Sequence, residues 1–592
     1  MKKNRILLLL EAVLCCGNVF SQQTDTNKIN IDTLNGYFYH TKSYFIDSIY
    51  NDSDDVFEVH FYNPLKRTDN DFFHQLNTYG SPSQSLIYNF NSTFLQYQPN
   101  IYSPYTYNFE NIRFYQRNKP FSELYYSNDL NSSQVFRVTH SQNVYKGLNI
   151  SLDYLVNYAD GTFANSGITS QFFNVTTNYI SPKGKYRTEA AFIYNKAITA
   201  ENGGINDVAF VADSFPSIVA YPVQLLNAST QYKTFDFLLS QSVRLPKALG
   251  TLTLANTIAN GIRTYRNIES IDTLLAFEQK TLTNTLTYSS TLKFFPVNIG
   301  IRHDYNIFAD QIMREKSSLV SPFAKISYHV NRIKLQAYAE KTLSSSIFGS
   351  NFLLSANASF AFDSLNRNNI FASFASKNSE TDFIYRHNFS TSYQWDNSFN
   401  TEKTTKLSFG TSLLGRFTFV LNYFIVSDKV YLSENLIPVQ KNGLINVYQA
   451  IFKNRFTLGR FGFMGSAALQ YSDDNPAISL PLFQAKETFY VEFFFFSKKL
   501  QTQFGLDLYY NTSFFANAYC PELASFYTQR ERKQGNYLYA DIFIAVGISR
   551  AKLFISCSHP YAGLFGYDYF QTLHYPSEAL SFRFGVSWKF FD

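Results

Sequence analysis

The carboxyl-terminal stretch LSFRFGVSWKF, residues 580–590, decides the fold class. Every second residue is apolar, namely Leu580, Phe582, Phe584, Val586, Trp588 and Phe590, and the residues between them are polar or glycine. A strand points successive side chains to opposite faces, so one face is apolar and the other polar. A buried sandwich strand could look similar, but this stretch has about the length that crosses a bilayer at a tilt. The pattern, with its aromatic end, favours the last strand of an outer-membrane barrel.

The amino terminus reads as an export signal. Basic residues Lys2, Lys3 and Arg5 precede an apolar run over residues 6–16, and small and polar residues follow it. This order predicts a signal peptide over residues 1–21, with cleavage after Ser21. We therefore expect the mature protein to be exported.

The composition also favours a membrane barrel. The 592 residues include 61 Phe and 44 Tyr, yet mean hydropathy is only −0.19. After the signal, no run of eighteen or more apolar residues could form a transmembrane helix. Many rings with few charges suit a surface that alternates between lipid and water. The charge of +6 shows no dense basic cluster, so we expect no nucleic-acid partner.

The alternating pattern recurs along the chain from about Phe121. It is clearest in residues 148–158, 297–305, 333–339, 352–362, 500–510 and 538–548. One such segment is ambiguous, but many segments of bilayer-spanning length predict a transmembrane antiparallel β-barrel, an all-β fold.

The connections between these segments alternate between short and long. Ten short ones lie near Lys146–Gly147, Pro182–Lys185, Leu245–Ala248, Phe295–Pro296, Asn331–Arg332, Ser364–Asn369, Gly415–Arg416, Gly459–Arg460, Ser497–Lys499 and Ser549–Lys552. Long polar loops lie between them, at 195–229, 377–403, 427–443, 511–534 and 559–579. This is the arrangement of short periplasmic turns and long extracellular loops. Ten turns predict about 22 strands, and a range of about 18–22 allows for mistaken turns.

Residues 22–105 differ in character from the rest. Their alternation is weak, and Asp52, Asp54 and Asp55 form an acidic cluster. We interpret residues 22–105 as a periplasmic or lumenal segment and residues 106–592 as the barrel. A plug inside the lumen is one option, although only Gly36 and Gly80 provide glycine flexibility there.

Several motifs resemble the putative porin family of Bacteroidetes outer membranes. They are Leu76–Tyr88 (LNTYGSPSQSLIY), Phe121–Tyr126 (FSELYY), His140–Asn143 (HSQN), Glu201–Ile205 (ENGGI) and the carboxyl-terminal Ser581–Asp592. The match departs from the family pattern at residues 76–80, and Asp592 replaces the terminal aromatic residue of outer-membrane barrels. The resemblance implies an outer-membrane barrel described as a porin, with no known catalytic residues and no defined substrate.

Charged residues in the polar phase of the strands are the candidate lumen lining. They are Asp153, Glu189, Asp236, Lys325, Lys334, Glu492, Asp507, Asp541, Arg583 and Lys589. A Lys or Arg facing lipid at the midplane costs about 2–4 kcal/mol, so we expect these residues to face inward. Both signs occur, which suits a wetted interior, but paired charges in a packed lumen remain the alternative.

Other candidate sites are weaker. The segment Glu201, Asn202, Gly203 and Gly204 could fold inward as a constriction, or could lie on the surface. His140–Ser141 could be a base and nucleophile, and Asp473–Asp474–Asn475 could bind calcium, but a polar strand end and a solvated loop explain them as well. We find no phosphate loop, zinc spacing or nucleophile elbow, and we expect no enzyme activity, cofactor or metal.

The sequence thus predicts an outer-membrane channel of a Gram-negative bacterium that lets small hydrophilic solutes diffuse passively. The alternative is a plugged or partner-dependent transporter or secretion-associated barrel. Expected partners are outer-membrane lipid and lipopolysaccharide, and the barrel-assembly machinery through the carboxyl-terminal strand Phe582, Phe584, Trp588 and Phe590.

Overall fold

A computed structural model describes most of the chain after residue 35. The described residues are 36–42, 45–50, 58–67, 71–117, 119–130, 133–213, 220–246, 249–268, 273–292, 295–343, 351–364, 366–474, 476–564 and 566–591. The expected signal peptide and the cluster of Asp52, Asp54 and Asp55 lie outside them.

The described residues are mostly in β-strands. The first five strands are β1 (Gly36–Lys42), β2 (Phe45–Tyr50), β3 (Phe73–Gln75), β4 (Ser83–Ser85) and β5 (Phe114–Arg117). The remaining strands are β6 (Phe121–Asp129), β7 (Ser133–Tyr145), β8 (Leu148–Ala159), β9 (Ile168–Ile180), β10 (Tyr186–Glu201), β11 (Ala228–Arg244), β12 (Thr251–Asn267), β13 (Thr273–Leu292), β14 (Phe295–Ala309), β15 (Arg314–Val330), β16 (Ile333–Lys341), β17 (Phe352–Ala361), β18 (Asn369–Ser379), β19 (His387–Phe389), β20 (Gln394–Asp396), β21 (Glu402–Leu413), β22 (Phe417–Ser427), β23 (Val430–Leu432), β24 (Pro438–Gln440), β25 (Leu444–Leu458), β26 (Phe461–Ser472), β27 (Phe483–Phe495), β28 (Leu500–Asn511), β29 (Ala518–Cys520), β30 (Ser525–Tyr527), β31 (Tyr539–Ile548), β32 (Ala551–Ser558), β33 (Phe570–Thr572), β34 (Tyr575–Pro576) and β35 (Ser581–Phe591).

A single closed barrel contains β6–β18, β21, β22, β25–β28, β31, β32 and β35, which are 22 strands. Each barrel strand pairs antiparallel with the next barrel strand along the chain. β35 closes the ring on β6, from Arg583 opposite Asp129 to Phe591 opposite Phe121. The all-β barrel is confirmed, with a strand number at the upper end of the expected range.

The two faces of the barrel wall differ as the alternation predicts. On β35, Phe582, Phe584 and Trp588 are about half exposed on the outer face, whereas Arg583 between them is only 3% exposed. Outward residues of other strands, such as Leu254 on β12, are likewise exposed and apolar. The outer wall is therefore an apolar belt of the kind that contacts acyl chains. Among the described residues, no helix is long and apolar enough to cross a bilayer.

The short connections lie at one end of the barrel and the long ones at the other. At the short-turn end, Gly147 has a φ of +80°, and an added Cβ would come within 2.3 Å of the Ile180 carbonyl oxygen. Glycine is therefore required in this turn. The turn expected near Phe295–Pro296 lies just before these residues, between Leu292 and Phe295, and proline is tolerated at the start of β14 because its missing N–H is not needed there.

The long connections carry small elements of their own. They span residues 202–227, 380–401, 428–443, 512–538 and 559–580. They contain helices α1 (Asp207–Val211) and α2 (Phe383–Arg386) and the hairpins β19–β20, β23–β24, β29–β30 and β33–β34. The first loop is shorter than expected because residues 195–201 continue β10.

The amino-terminal segment forms small sheets of its own, whose strands do not pair with the strands of the barrel wall. β2, β1 and β5 form a three-stranded sheet in that order, and β3 pairs with β4. The wall itself begins at Phe121, so residues 106–117 belong with the amino-terminal segment.

Candidate functional site: the filled lumen

The ten charged residues singled out in the sequence lie in the inward phase of their strands. Six are buried: Asp153 on β8, Glu189 on β10, Asp507 on β28, Asp541 on β31, and Arg583 and Lys589 on β35. Four are half-buried: Asp236 on β11, Lys325 on β15, Lys334 on β16 and Glu492 on β27. The contacts of these side chains show whether the lumen is open or filled.

Residues 58–117, called the plug from here on, occupy the lumen. Inward side chains of the wall donate hydrogen bonds to plug carbonyl oxygens over distances of 2.5–3.1 Å. The pairs include Asn157 to Tyr79, Thr176 to Arg113, Asn178 to Tyr115, Asn195 to Tyr107, Lys377 to Thr93, Gln470 to Leu86 and Lys486 to Leu65. These donors lie on β8, β9, β10, β18, β26 and β27. The wall thus satisfies backbone groups of an irregular segment that would otherwise be buried without partners.

Two acidic residues of the wall are contacted by side chains of the plug. Asp507 and Asp541 are direct cross-strand partners on β28 and β31, an unfavourable position for like charges. Lys66 Nζ of the plug lies 3.0 Å from Asp541 Oδ2 and 3.1 Å from Glu578 Oε2. Burial alone would lower the pKa of Lys66, but the carboxylates of Asp541 and Glu578 outweigh it and raise the pKa well above its usual range. Lys66 therefore stays charged and ties the plug to this wall.

His60 of the plug contacts the other carboxylate of the pair. Its Nε2 lies 3.0 Å from Asp507 Oδ2, and its ring stacks on Phe543 at a centroid distance of 3.7 Å. Thr488 donates to the second oxygen of Asp507 at 2.5 Å. His60 and Lys66 together neighbour both members of the acidic pair.

Two inward arginines form ion pairs within the wall and also contact tyrosines of the plug. Arg137 pairs with Asp153 at 2.5 Å, and Tyr107 of the plug donates to the same carboxylate. On β35, Arg583 pairs with Asp129 at 2.8 Å.

Arg583 also lies 3.7 Å from the ring centroid of Tyr62 in the plug. The guanidinium is thus held between a carboxylate and a ring, an attractive arrangement when it is shielded from water.

The other singled-out residues have varied surroundings. Glu189 accepts a hydrogen bond from Tyr39 of β1 at 3.0 Å and pairs with Arg187. Glu492 accepts from Gln501 and Gln503, which lie on the neighbouring strand of the wall.

The segment Glu201, Asn202, Gly203 and Gly204 lies where β10 meets the long-loop end. Glu201 is 1% exposed and accepts a hydrogen bond from Tyr519 in the loop of residues 512–538. At Gly204 an added Cβ would come within 2.4 Å of His574 Cβ, so the backbone lies directly against the loop of residues 559–580. The segment therefore contacts two loops, residues 512–538 and residues 559–580, at the long-loop end.

The long loops also pack on the plug. Tyr519 and Tyr575 belong to one apolar cluster with Leu76, Tyr79 and Tyr102 of the plug. The plug is therefore covered by loops at this end of the barrel.

An ion cluster ties three of the long loops to one another there. Asp207 of α1 receives Arg532 at 3.1 Å and His574 at 3.2 Å. The hydrogen bond that His574 donates to Asp207 raises the pKa of His574, although burial opposes the shift.

The weaker candidates do not assemble into sites. His140 and Ser141 are adjacent in β7 and therefore face opposite sides of the wall. His140 Nδ1 lies 2.8 Å from Ser122 Oγ, and Ser141 donates a hydrogen bond to Asn149. Asp474 pairs with Lys441, and Asn475 lies outside the described residues. Among the described residues, no group of three or more His, Cys, Asp or Glu could hold a metal ion. Cys520 and Cys557 are both free thiols.

Sequence reasoning missed the plug residues His60, Lys66 and Tyr107. The available signal was indirect: inward carboxylates such as Asp507 and Asp541 need counter-charge, and the wall strands beside them supply little.

Comparison with known proteins agrees with this architecture. A family model described as "Putative porin" matches residues 35–592. Among solved structures, the FrpB iron transporter from Neisseria meningitidis is 11% identical, with a TM-score of 0.58, over 80% of this chain and 82% of its own. The siderophore receptor PiuA from Acinetobacter baumannii is 10% identical, with a TM-score of 0.57, over 80% and 82%. At these identities the likeness shows a shared fold, and no curated protein matches the sequence.

Proposed function

This chain belongs to the putative porin family, and on that premise we propose that it is an outer-membrane transport protein of a Gram-negative bacterium whose lumen is closed at rest by the plug. Hydrophilic solutes then cross only when the plug moves, without any chemical step. The observation that carries this proposal is the set of hydrogen bonds and ion pairs between the plug and inward side chains of the wall, from β8 to β31. The similar solved structures are named as an iron transporter and a siderophore receptor, which supports a gated transporter.

Passive diffusion through a permanently open lumen is the second candidate. The family description favours it, and so does the half-exposed state of inward residues such as Lys325 and Lys334. The two candidates differ in the resting conductance that they require.

Single-channel recording of the full-length protein in planar bilayers tests the proposal. We expect little conductance at rest and a large rise in moderate urea, because the plug is held by side-chain contacts whereas the wall is a closed hydrogen-bonded ring. A steady, large conductance without denaturant would contradict the proposal and support passive diffusion.

We further propose that the apolar belt contacts outer-membrane lipid and lipopolysaccharide, and that β35 is the segment that the assembly machinery recognises. The exposed rings of Phe582, Phe584 and Trp588 support both proposals. Replacing Trp588 by Ser should slow assembly into liposomes that contain the machinery, and unchanged assembly would argue against recognition through this strand.

A further inference from the structure

The plug covers the two sides of the lumen unequally. On one side, inward residues near the short turns are almost fully buried, for example Ser151 on β8 at 3% and Ser587 on β35 at 4% exposed. On β14–β18, most inward residues in the half of the wall near the short turns are half-exposed instead, apart from Asn298 and Asn369, which are each 6% exposed. The half-exposed residues include Arg302, Asp304, Lys325, Ser327, Lys334, Gln336, Tyr338, Ser355, Asn357, Ser359 and Ser373. The wall of β14–β18 therefore faces water over its short-turn half.

The contacts of the plug explain the difference. Plug residues 111–115 lie against β8 and β9, and residues 60–66 lie against β28, β31 and β32. Against β13–β18, the contacts of the plug come from residues 93–97. Arg302 lies 5.5 Å from the Phe94 ring, Lys377 donates to the Thr93 carbonyl, and Tyr97 N–H donates to Gln279.

These contacts lie towards the long-loop end of the barrel. There, an aromatic cluster covers the inward face of β13 and β14, so the half-exposed part of the wall does not continue to this end. Tyr97 of the plug, Phe277 and Phe308 of the wall and Phe383 of α2 form this cluster, called the aromatic closure from here on. Ring centroids are 5.7 Å apart for Tyr97 and Phe277, 5.4 Å for Tyr97 and Phe383, and 5.3 Å for Phe308 and Phe383. Phe308 and Phe383 are 0% exposed. A packed apolar constriction of this kind excludes water and ions.

Two members of the aromatic closure, Tyr97 and Phe383, lie on segments that are not part of the wall. The backbone N–H groups of Phe383 and Ile384 donate to the carbonyls of Gln96 and Tyr97, at 3.0 and 2.8 Å. Gln96 also donates to Asp382 at 3.0 Å. Plug residues 93–97 and α2 are therefore joined to each other and can move as one unit without breaking strand pairing.

The half-exposed wall carries charges of both signs. Arg302 holds Asp304 and Glu340, each at 2.8 Å, within the wall itself. Lys325 and Lys334 lie nearer the short turns. Such a surface suits a hydrophilic solute better than an apolar one.

We propose that solutes cross beside the plug, along β14–β18, and that the aromatic closure is the barrier to their passage. Opening then requires displacement of residues 93–97 with α2, while the rest of the plug stays docked. This inference rests on the proposed transport function and adds the route and the gate to it.

Thiol labelling of the closed protein tests the water-filled route. In a background with Cys520→Ser and Cys557→Ser, single Ser355→Cys and Ser359→Cys variants report on the half-exposed wall. Ser151→Cys and Ser587→Cys are matched controls on the covered side. With a small, charged methanethiosulfonate we expect the first pair to react at least tenfold faster than the second. Equal rates would overturn the proposal, whatever the conductance of the protein.

Conductance tests the gate. The double variant Phe308→Ala with Phe383→Ala should raise single-channel conductance. Phe383→Ala alone should also raise it, and because Phe383 lies in a loop, this variant leaves the wall unchanged. Labelling of Ser151→Cys in the same variants should stay slow, because the rest of the plug remains docked. If conductance rises only together with labelling of Ser151→Cys, the whole plug leaves, so this inference fails while the proposed function stands. If no variant conducts, with or without urea, the transport function itself fails.

Discussion

Replacing Lys66 by Met should release the plug from β28 and β31. Met keeps the length of the side chain but leaves the carboxylates of Asp541 and Glu578 without their cation, beside Asp507. Removing one partner of a buried ion pair costs about 3–5 kcal/mol. The side chains of Lys66 and Asp541 are only 14% and 7% exposed, so solvent screening is weak here. Since about 1.4 kcal/mol is a factor of ten, the population with a released plug should rise by about two to four powers of ten.

Labelling of a buried thiol measures that population. Ser556→Cys, in a background without Cys520 and Cys557, places the thiol in the small cavity that His60 and Lys66 line. When opening and closing are fast, the labelling rate follows the equilibrium for plug release. The double variant Lys66→Met with Asp541→Asn should recover part of the protection, because it removes one uncompensated charge. A labelling rate for Lys66→Met that equals that of the parent would refute the proposed role of this ion pair.

Three further predictions concern pH and the outer face. Burial lowers the pKa of His74 to about 4, against 6.5 when the plug is released. Docking of the plug should therefore weaken as pH falls from 6.5 towards 4. His74→Gln should flatten the pH profile of the Ser556→Cys labelling rate. The raised pKa of His574 acts in the opposite direction. The stabilising contact of His574 with Asp207 is complete below pH 6.5 and is lost as pH rises through the raised pKa. Protease cleavage of residues 559–580 should therefore increase at high pH in the parent but not in His574→Gln. On β18, Ala372→Lys should destabilise the barrel in liposomes by up to about 2–4 kcal/mol, measured by urea unfolding, whereas Ser373→Lys on the inward face should have little effect; equal costs would contradict the assignment of the faces.

The barrel wall could be predicted from the sequence because its information is local. Alternation in stretches such as residues 500–510 fixes both the strand and its outward face, and a turn such as Asn331–Arg332 fixes the pairing of its neighbours. Counting turns gave the strand number for the same reason. The turn near Phe295 and Pro296 lies slightly earlier than the sequence indicates, because proline, usually a turn residue, lies here at the start of a strand.

The plug could not be predicted because its structure depends on distant partners. The described part of residues 58–117 contains short strands and many irregular stretches, and its backbone groups bond to side chains from 63 positions away, as Arg113 does with Thr176, to 421 positions away, as Leu65 does with Lys486. No periodic pattern marks such a segment. The sequence therefore left open whether residues 22–105 lie in the periplasm or in the lumen, and which inward charges are solvated.

The balance of charge along the wall accounts for the position of the plug. A barrel of this many strands encloses a lumen that its own side chains cannot fill. Where the wall places Asp507 directly opposite Asp541, Lys66 of the plug supplies a cation to Asp541, and the His60 ring lies within hydrogen-bond distance of Asp507. On β14–β16, by contrast, Arg302 neutralises its neighbouring carboxylates within the wall. The acidic pair that needs counter-charge therefore lies where Lys66 anchors the plug, and the acids of β14–β16, which Arg302 pairs within the wall, lie on the side that water can reach.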